Sequence, residues 1–358
     1  MIIQTLKAVM NSINLSPSSV GDVLLPAGIE GTPVPLVQNN FSPVKTTVVD
    51  VPVFFIDGGN QQIIGSSQFS IQFIRIYWTK YVTNRRVDCG TDEFFVVAQL
   101  TPENGRLMCE LKTFGLKRSM LDDALTSMNC TRVELSAAQD SKSFDETRVA
   151  SIAVKMRKRA ELLVAQNIAQ KNSGALIVLD GALGGTDAEE KVMMKALCGA
   201  ASLANVLLVG LSKSSQLVTS SGCALSVTLQ ALISPSLVHG RWMYHPLVSC
   251  SPALHFEIAM VKLHPRSRRV FRVDFSLHSW QQKDKILSAL IQNSSDATLI
   301  GYPYGLIEAD RFARVSNEEA KYLQLLMHDL LAKGGVESQQ LLESLAVSDV
   351  HGILDSMR

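Results

Sequence analysis

Asp57 and Asp180 are the residues best placed to do chemistry. Asp57 stands in FFIDGG and Asp180 in LIVLDG, each at what reads as the C-terminal end of a buried strand. A carboxylate beside apolar strand residues is costly unless it is paired or bound to a cation. In open α/β sheets the strand ends are also where ligands sit. Oxygen donors alone suit Mg²⁺ or Mn²⁺. The plainer alternative is an Asp-Gly turn or helix cap. Finding the same context twice is what raises the metal reading.

Further candidates lie around these two. Glu161, in MRKRAELLVAQNIAQ, is the only acid between Glu146 and Asp180, on the helix that leads into the second strand. Its alternative role is an i,i+4 pair with Arg157 on the helix surface. In GYPYGLIEADRFARVSNEEA, residues 301–320, Tyr302 and Asp310 could face a site. Glu308 and Asp310 read equally well as first-turn acids of a helix. Lys213, just past a strand end, could neutralise a phosphate, as could Arg157 and Lys158 beside Glu161. Other chemistries lack their signatures. There is no GxxxxGK followed by Ser or Thr, no GxGxxG, no GxSxG and no HExxH.

The elements that would position these residues follow from periodicity. Residues 1–22 read as a short amphipathic helix ending at Ser-Pro-Ser-Ser, and 23–50 as a Pro/Gly/Asn-rich surface stretch. Residues 51–60 form a buried strand that Gly58-Gly59 should end. Residues 61–78 make one or two strands with a bulge or turn near Gly65, and strands follow at 94–100 and 105–114. The period then becomes helical over 144–172. A strand at 175–181, a helix at 187–204, a strand at 205–212 and a helix at 214–233 come next. ALHFEIAMVKLH and RRVFRVDFSL form a hairpin around Pro265-Arg266-Ser267. Residues 281–294 and most of the chain from Gly305 onward read as helical. The fold expected is α/β: a mixed sheet of three antiparallel strands, then parallel strands with crossover helices, plus helical and hairpin elaborations. Residues 1–45 would be an N-terminal helix and extended arm, and 46–358 the main domain.

Composition narrows the classes. The chain has 358 residues, 46% hydrophobic and 19% charged, which excludes a disordered or collagenous protein. Its 34 Lys and Arg against 33 Asp and Glu give a net charge of +1, so it is not polybasic. The balance is uneven, however. Residues 151–172 carry five basic residues and one acid, 235–275 six and two, and 301–358 five and nine. DNA contact confined to one channel is compatible with that distribution. Six widely spaced cysteines, with no CxxC, suggest reduced thiols in a cytosolic protein. The N-terminus does not read as a signal peptide. The uncharged run between Lys213 and Arg241 is too rich in Ser, Thr and Gln for a membrane span.

FFIDGGNQQIIG, ALIVLDGALGG, VGLSKSSQL, MVKLH with RVFRVDF, and GYPYGLIEADRFARVS occur in an order that resembles the NurA nuclease family, over roughly residues 50–355. The resemblance implies an RNase H-like core and a metal-dependent DNA nuclease using one or two ions, Mn²⁺ or else Mg²⁺. It implies 5′–3′ exonuclease and single-strand endonuclease activity, resecting ends in double-strand break repair. It also implies a homodimer working with a HerA-type hexameric ATPase in the cytoplasm, at the nucleoid and not at a membrane. By the same resemblance Asp57, Glu161 and Asp180 match the metal-binding acids and Tyr302 the active-site tyrosine. Where the family commonly carries histidine, this chain has Asp310, which could serve as a metal ligand. Two alternatives stand beside this reading. One is a catalytically weak adaptor of a DNA translocase. The other is an actin-like ATPase, for which the sequence shows no second domain copy.

Overall fold

A computed structural model describes residues 2–12, 21–25, 29, 31–121, 131–134, 146–213, 217–250 and 255–335. The chain clusters into two compact units. One comprises Pro52–Ile177, Gly199–Asn205 and the chain from Gly305 onward. The other comprises the chain up to Val51, Val178–Cys198 and Val206–Tyr304.

The strands that matter here are β1 (Phe41–Pro43), β2 (Val53–Gly65), β3 (Phe69–Val82), β4 (Arg85–Glu103), β5 (Arg106–Lys117), β6 (Thr131–Glu134), β7 (Leu176–Asp180), β8 (Leu207–Ser212), β9 (Trp242–Tyr244), β10 (Phe256–Lys262) and β11 (Phe271–Ser276). They make up a mixed α/β fold, in the order β2-β3-β4-β5-β6 within the first unit and β1-β9-β10-β11-β8 within the second. The main helices are α1 (Ile2–Ser12), α2 (Glu146–Lys171), α3 (Ala188–Leu203), α4 (Lys283–Gln292), α5 (Tyr304–Ala313) and α6 (Asn317–Ala332). Along the chain α2 precedes β7 and α3 lies between β7 and β8. The mixed α/β class is the one expected.

In the first unit β2 to β6 run as an antiparallel meander, each paired with the next. It is longer than the three strands anticipated. Two tight turns extend it. Thr83 and Asn84 both have positive φ (45° and 61°), as do Asn104 and Gly105 (50° and 76°), which matches the twist of a two-residue hairpin. β2 does not stop at Gly58-Gly59, as the sequence suggested. The ladder continues through Gly58↔Ile76 and Gly59↔Arg75 to Gly65. Asp57 is therefore a mid-strand residue. A turn does follow Gly65, with the Ser66 N–H donating to the Phe69 carbonyl at 2.8 Å. Ile63, Ile64, Phe69, Phe73 and Val315 form one core cluster, which Leu323 and Met327 of α6 help to cover.

In the second unit β10 and β11 form the expected hairpin, with the Ser267 N–H closing on the His264 carbonyl at 3.1 Å. Its buried ion pair joins Arg272 to Asp274 at 2.7 Å, and Asp274 also accepts the Leu183 N–H at 3.0 Å. Burial pushes the Asp274 carboxyl up, against the pull of Arg272 and the Leu183 N–H. The helix expected over 214–233 is only Leu225–Leu232. Val218–Thr219 pairs instead as a short strand with Val23–Leu24, and residues 214–216 lie outside the described chain. α1 is helical as expected but buries no residue, and the Ser-Pro-Ser-Ser turn is outside the described residues. The helical tail expected beyond residue 335 is likewise outside them. Among the described residues no helix is long and apolar enough to cross a membrane.

Candidate metal centre

The alternation of β2 and β3 sorts the candidates onto two faces. Residues that pair across the ladder share a face, so Asp57 and Gly59 lie on one side with Tyr77 and Arg75. Gly58 lies on the other.

α5 crosses the Asp57 face, and its amino acids show why it can. A Cβ on Gly305 would meet the Phe55 ring at 2.0 Å, and a Cβ on Gly59 would meet the Ala313 carbonyl oxygen at 2.1 Å. Both glycines are needed for so close an approach. Between them Glu308 accepts Tyr77 Oη at 3.0 Å, Tyr81 Oη at 2.6 Å and Arg86 Nη1 at 3.1 Å. Burial alone would raise the Glu308 carboxyl. The hydrogen bonds of Tyr81, Arg86 and Tyr77 outweigh it and hold the group below the usual range. The phenol of Tyr77 is pushed up, by burial first and then by its hydrogen-bonded neighbours, so it stays a donor. Phe312 stacks on Tyr77 with ring centroids 5.2 Å apart. At the C-terminal end of α5, Arg75 Nη1 donates to the Arg314 carbonyl at 3.1 Å. α5 is thus fixed at several points along its length. It starts at Tyr304, so Glu308 and Asp310 are not the first-turn acids that the sequence suggested.

Asp57 and Asp310, both in the first unit, offer carboxylate oxygens within 4.8 Å of each other. Asp57 is 4% exposed, Asp180 is half-buried and Asp310 is exposed. Asp180 ends β7, as expected from its sequence. Lys213 Nζ is 2.6 Å from Asp180 Oδ2, and Tyr302 Oη donates to Asp180 Oδ1 at 3.5 Å, the long end of the hydrogen-bond range. Tyr302 is buried against Phe271. Carboxylates this close repel one another unless positive charge offsets them. An all-oxygen donor set fits a hard divalent cation.

Glu161 lies on the opposite face. A Cβ on Gly58 would meet its Oε1 at 2.7 Å. Glu161 is buried and held by Arg157 at 3.0 Å and Lys158 at 3.1 Å, while Arg157 also donates to the Gly58 carbonyl at 2.8 Å. So the structure brings Asp57 and Asp310 together in the first unit, and sets Lys213 and Tyr302 on Asp180 in the second. It places Glu161, Arg157 and Lys158 together on the other face of β2.

Glu308, Tyr77, Tyr81 and Arg86 were not among the residues singled out from sequence. Their meeting spans more than 200 positions of chain, and no local pattern signals it.

No family model matches the chain, and no curated protein does. Among solved structures the chain is similar to the NurA nuclease from Sulfolobus solfataricus, at 13% identity and a TM-score of 0.49, covering 82% of this chain and 88% of that one. It is similar, at a TM-score of 0.35 and 13% identity, to Ciona intestinalis endonuclease V in complex with an inosine-containing DNA, over 76% of this chain and 87% of that one. Human endonuclease V gives a TM-score of 0.36 at 11% identity, over 76% and 85%.

Proposed function

We propose that this protein is a divalent-metal-dependent deoxyribonuclease whose cation is held by Asp57, Asp180 and Asp310. The observation that carries the reading is the approach of the Asp57 and Asp310 carboxylates to within 4.8 Å, and Asp180 at the end of β7 is the third ligand this reading assigns. The ordered motifs that resemble the NurA family support it from the sequence side. A divalent cation bound there supplies Lewis-acid polarisation of a phosphodiester oxygen and acidifies a water.

The chain's own groups have definite tasks in this reading. Lys213 is the countercharge to Asp180 and stands ready to turn to a phosphate. Tyr302 orients the Asp180 carboxylate through its hydroxyl. Glu308 positions Asp310 by fixing α5. Asp310 adds a third oxygen donor where the resembled family commonly has histidine. Glu161 is a positioning residue that holds Arg157 against the β2 backbone. A phosphate arriving on that face would compete with Glu161 for Arg157 and Lys158.

The finer reading follows the sequence resemblance. It is a Mn²⁺- or Mg²⁺-dependent 5′–3′ exonuclease and single-strand endonuclease that resects DNA ends in the cytoplasm, at the nucleoid. It works as a homodimer with a HerA-type hexameric ATPase. The arm at residues 1–45 would serve one of those contacts, and the exposed Ile2, Ile3, Leu6, Val9 and Met10 of α1 suit that role.

End-labelled linear DNA incubated with Mn²⁺, Mg²⁺ or EDTA tests the proposal. Cleavage with Mn²⁺ or Mg²⁺ that EDTA abolishes is expected. Intact DNA in every arm, with or without the translocase, would favour the adaptor reading, and saturable ATP binding would favour the ATPase.

A further inference from the structure

A second site lies in the Val206–Tyr304 segment, where a cleft of about 800 Å³ opens beside the β10–β11 hairpin. Lys262, Arg266, Arg268 and His239 are among the residues that line it, and Ile233 and Val270 contribute apolar surface. No carboxylate is among its lining residues. Among the described residues no ion pair joins Lys262, Arg266 or Arg268 to an acid.

The charge here is concentrated and uncompensated. Lys262 is 8% exposed, and its ammonium donates to the Val238 carbonyl at 2.6 Å. A buried ammonium held only by a backbone carbonyl is costly, and an anion would relieve it. Arg241, one residue before β9, has a buried Nε without a hydrogen-bond partner. The neighbouring His264 imidazole is pushed down by burial and then by Arg241, Arg266 and Lys262, a local sign of the positive field. Arg266 and Arg268 are exposed on the rim. The Arg266 N–H donates to His264 Nδ1 at 3.2 Å and the Arg268 carbonyl accepts Gln230 Nε2 at 2.7 Å, contacts that fix the backbone of the rim and leave the guanidinium groups to a ligand. The cleft is far larger than a phosphate ion needs and falls within the usual size of organic-ligand sites, roughly 300–1,000 Å³.

We infer that this cleft binds a nucleoside phosphate, with the phosphate on Lys262, Arg266 and Arg268 and the nucleoside against Ile233 and Val270. The site uses none of the three aspartates and does not depend on cleavage. Two sources share this chemistry, a free nucleotide and the terminal nucleotide of a strand.

Calorimetric titration of the full chain in EDTA tests the inference with thymidine 5′-monophosphate, thymidine and inorganic phosphate. The monophosphate should bind with a Kd below about 1 mM. Thymidine should bind at least about tenfold more weakly, because it lacks the charge-assisted hydrogen bonds. The double variant Arg266→Ala/Arg268→Ala, at exposed positions that do not threaten folding, should lose about tenfold or more. Asp180→Asn should bind as the wild type does, which separates this site from the metal centre. A 5′-phosphorylated oligothymidylate that competes, where its 5′-hydroxyl form does not, identifies a strand end as the ligand. No competition from either identifies the free nucleotide. The inference is overturned by no saturable binding of the monophosphate, by equal binding of thymidine or inorganic phosphate, or by unchanged binding in the double arginine variant.

Discussion

Gly59→Ala is the perturbation that most directly tests how α5 is seated. The new Cβ would stand 2.1 Å from the Ala313 oxygen, 2.8 Å from its carbonyl carbon and 3.1 Å from the Arg314 Cα, all backbone atoms. Ordinary contact begins at 3.4 Å, so the end of α5 must retreat by about 1.3 Å. That retreat is resisted by the Tyr77, Tyr81 and Arg86 contacts to Glu308 and by the close seat of Gly305 on Phe55. Overpacking without easy relief costs about 3 kcal/mol, the upper part of its usual range. For a body of this size that is a fall of roughly 6–12 °C in melting temperature. Asp310 rides on the same helix, so a misplacement of about 1 Å should also reduce cleavage about 100-fold. Gly58→Ala is the control. Its Cβ would meet Glu161 Oε1 at 2.7 Å, Ile76 Cδ1 at 2.8 Å and Arg157 Cγ at 2.9 Å, all side-chain atoms, which yield more readily than backbone. It should cost only about 1 kcal/mol. Differential scanning fluorimetry and the Mn²⁺-dependent cleavage rate on both variants give the answer. A wild-type melting temperature for Gly59→Ala, or a greater loss for Gly58→Ala, would refute the reasoning.

Other outcomes follow from the same physics. Arg272→Met should cost about 3–5 kcal/mol by stranding the buried Asp274 carboxylate, and Arg272→Met/Asp274→Leu should recover most of it. Urea denaturation reads both, and a tolerated single change would contradict the ion pair's role. The folded His264 resists protonation more than the unfolded chain does, so its contribution to stability is intact above the ordinary histidine value of about 6.5 and is lost as pH falls from there toward the lower folded value. His264→Asn should therefore flatten the acid-side loss of stability, and an unchanged slope of midpoint against pH would count against it. Burial pushes the Cys109 and Cys198 thiols up to about 11, whereas Cys89 is exposed. Iodoacetamide should label Cys89 in the native protein and reach the fully buried Cys109 only on unfolding, as peptide mass mapping would report. Early labelling of Cys109 would contradict the packing described.

Some of this was legible in the sequence because it is local. LIVLDG has the length and β-branched content of a buried strand, and Asp180 does end β7. Pro265-Arg266-Ser267 lies between two alternating runs and makes the hairpin turn. Asp57 was singled out correctly as a buried acid but was misplaced within its strand. Gly58-Gly59 reads locally as a terminator, whereas the glycines are there because α2 and α5 approach β2 from opposite faces. That same fact puts Glu161 on the face opposite Asp57, which a sequence position cannot reveal. The helix expected over 214–233 shrank because Val218–Thr219 finds a partner strand almost 200 residues away, and tertiary pairing overrides local propensity. The seat of α5 on Tyr77, Tyr81 and Arg86 is wholly long-range. The basic cleft had a partial signal in the six basic residues against two acids over 235–275, but not their convergence around the hairpin.

The proposed function requires a cation held by Asp57, Asp180 and Asp310. Titrating Mn²⁺ against the wild type and against folded Asp57→Asn, with free Mn²⁺ read by electron paramagnetic resonance, tests it most directly. The account predicts saturable binding to the wild type and a loss of about tenfold or more in affinity when a buried ligand carboxylate becomes an amide. Equal Mn²⁺ affinity in the two proteins would contradict it.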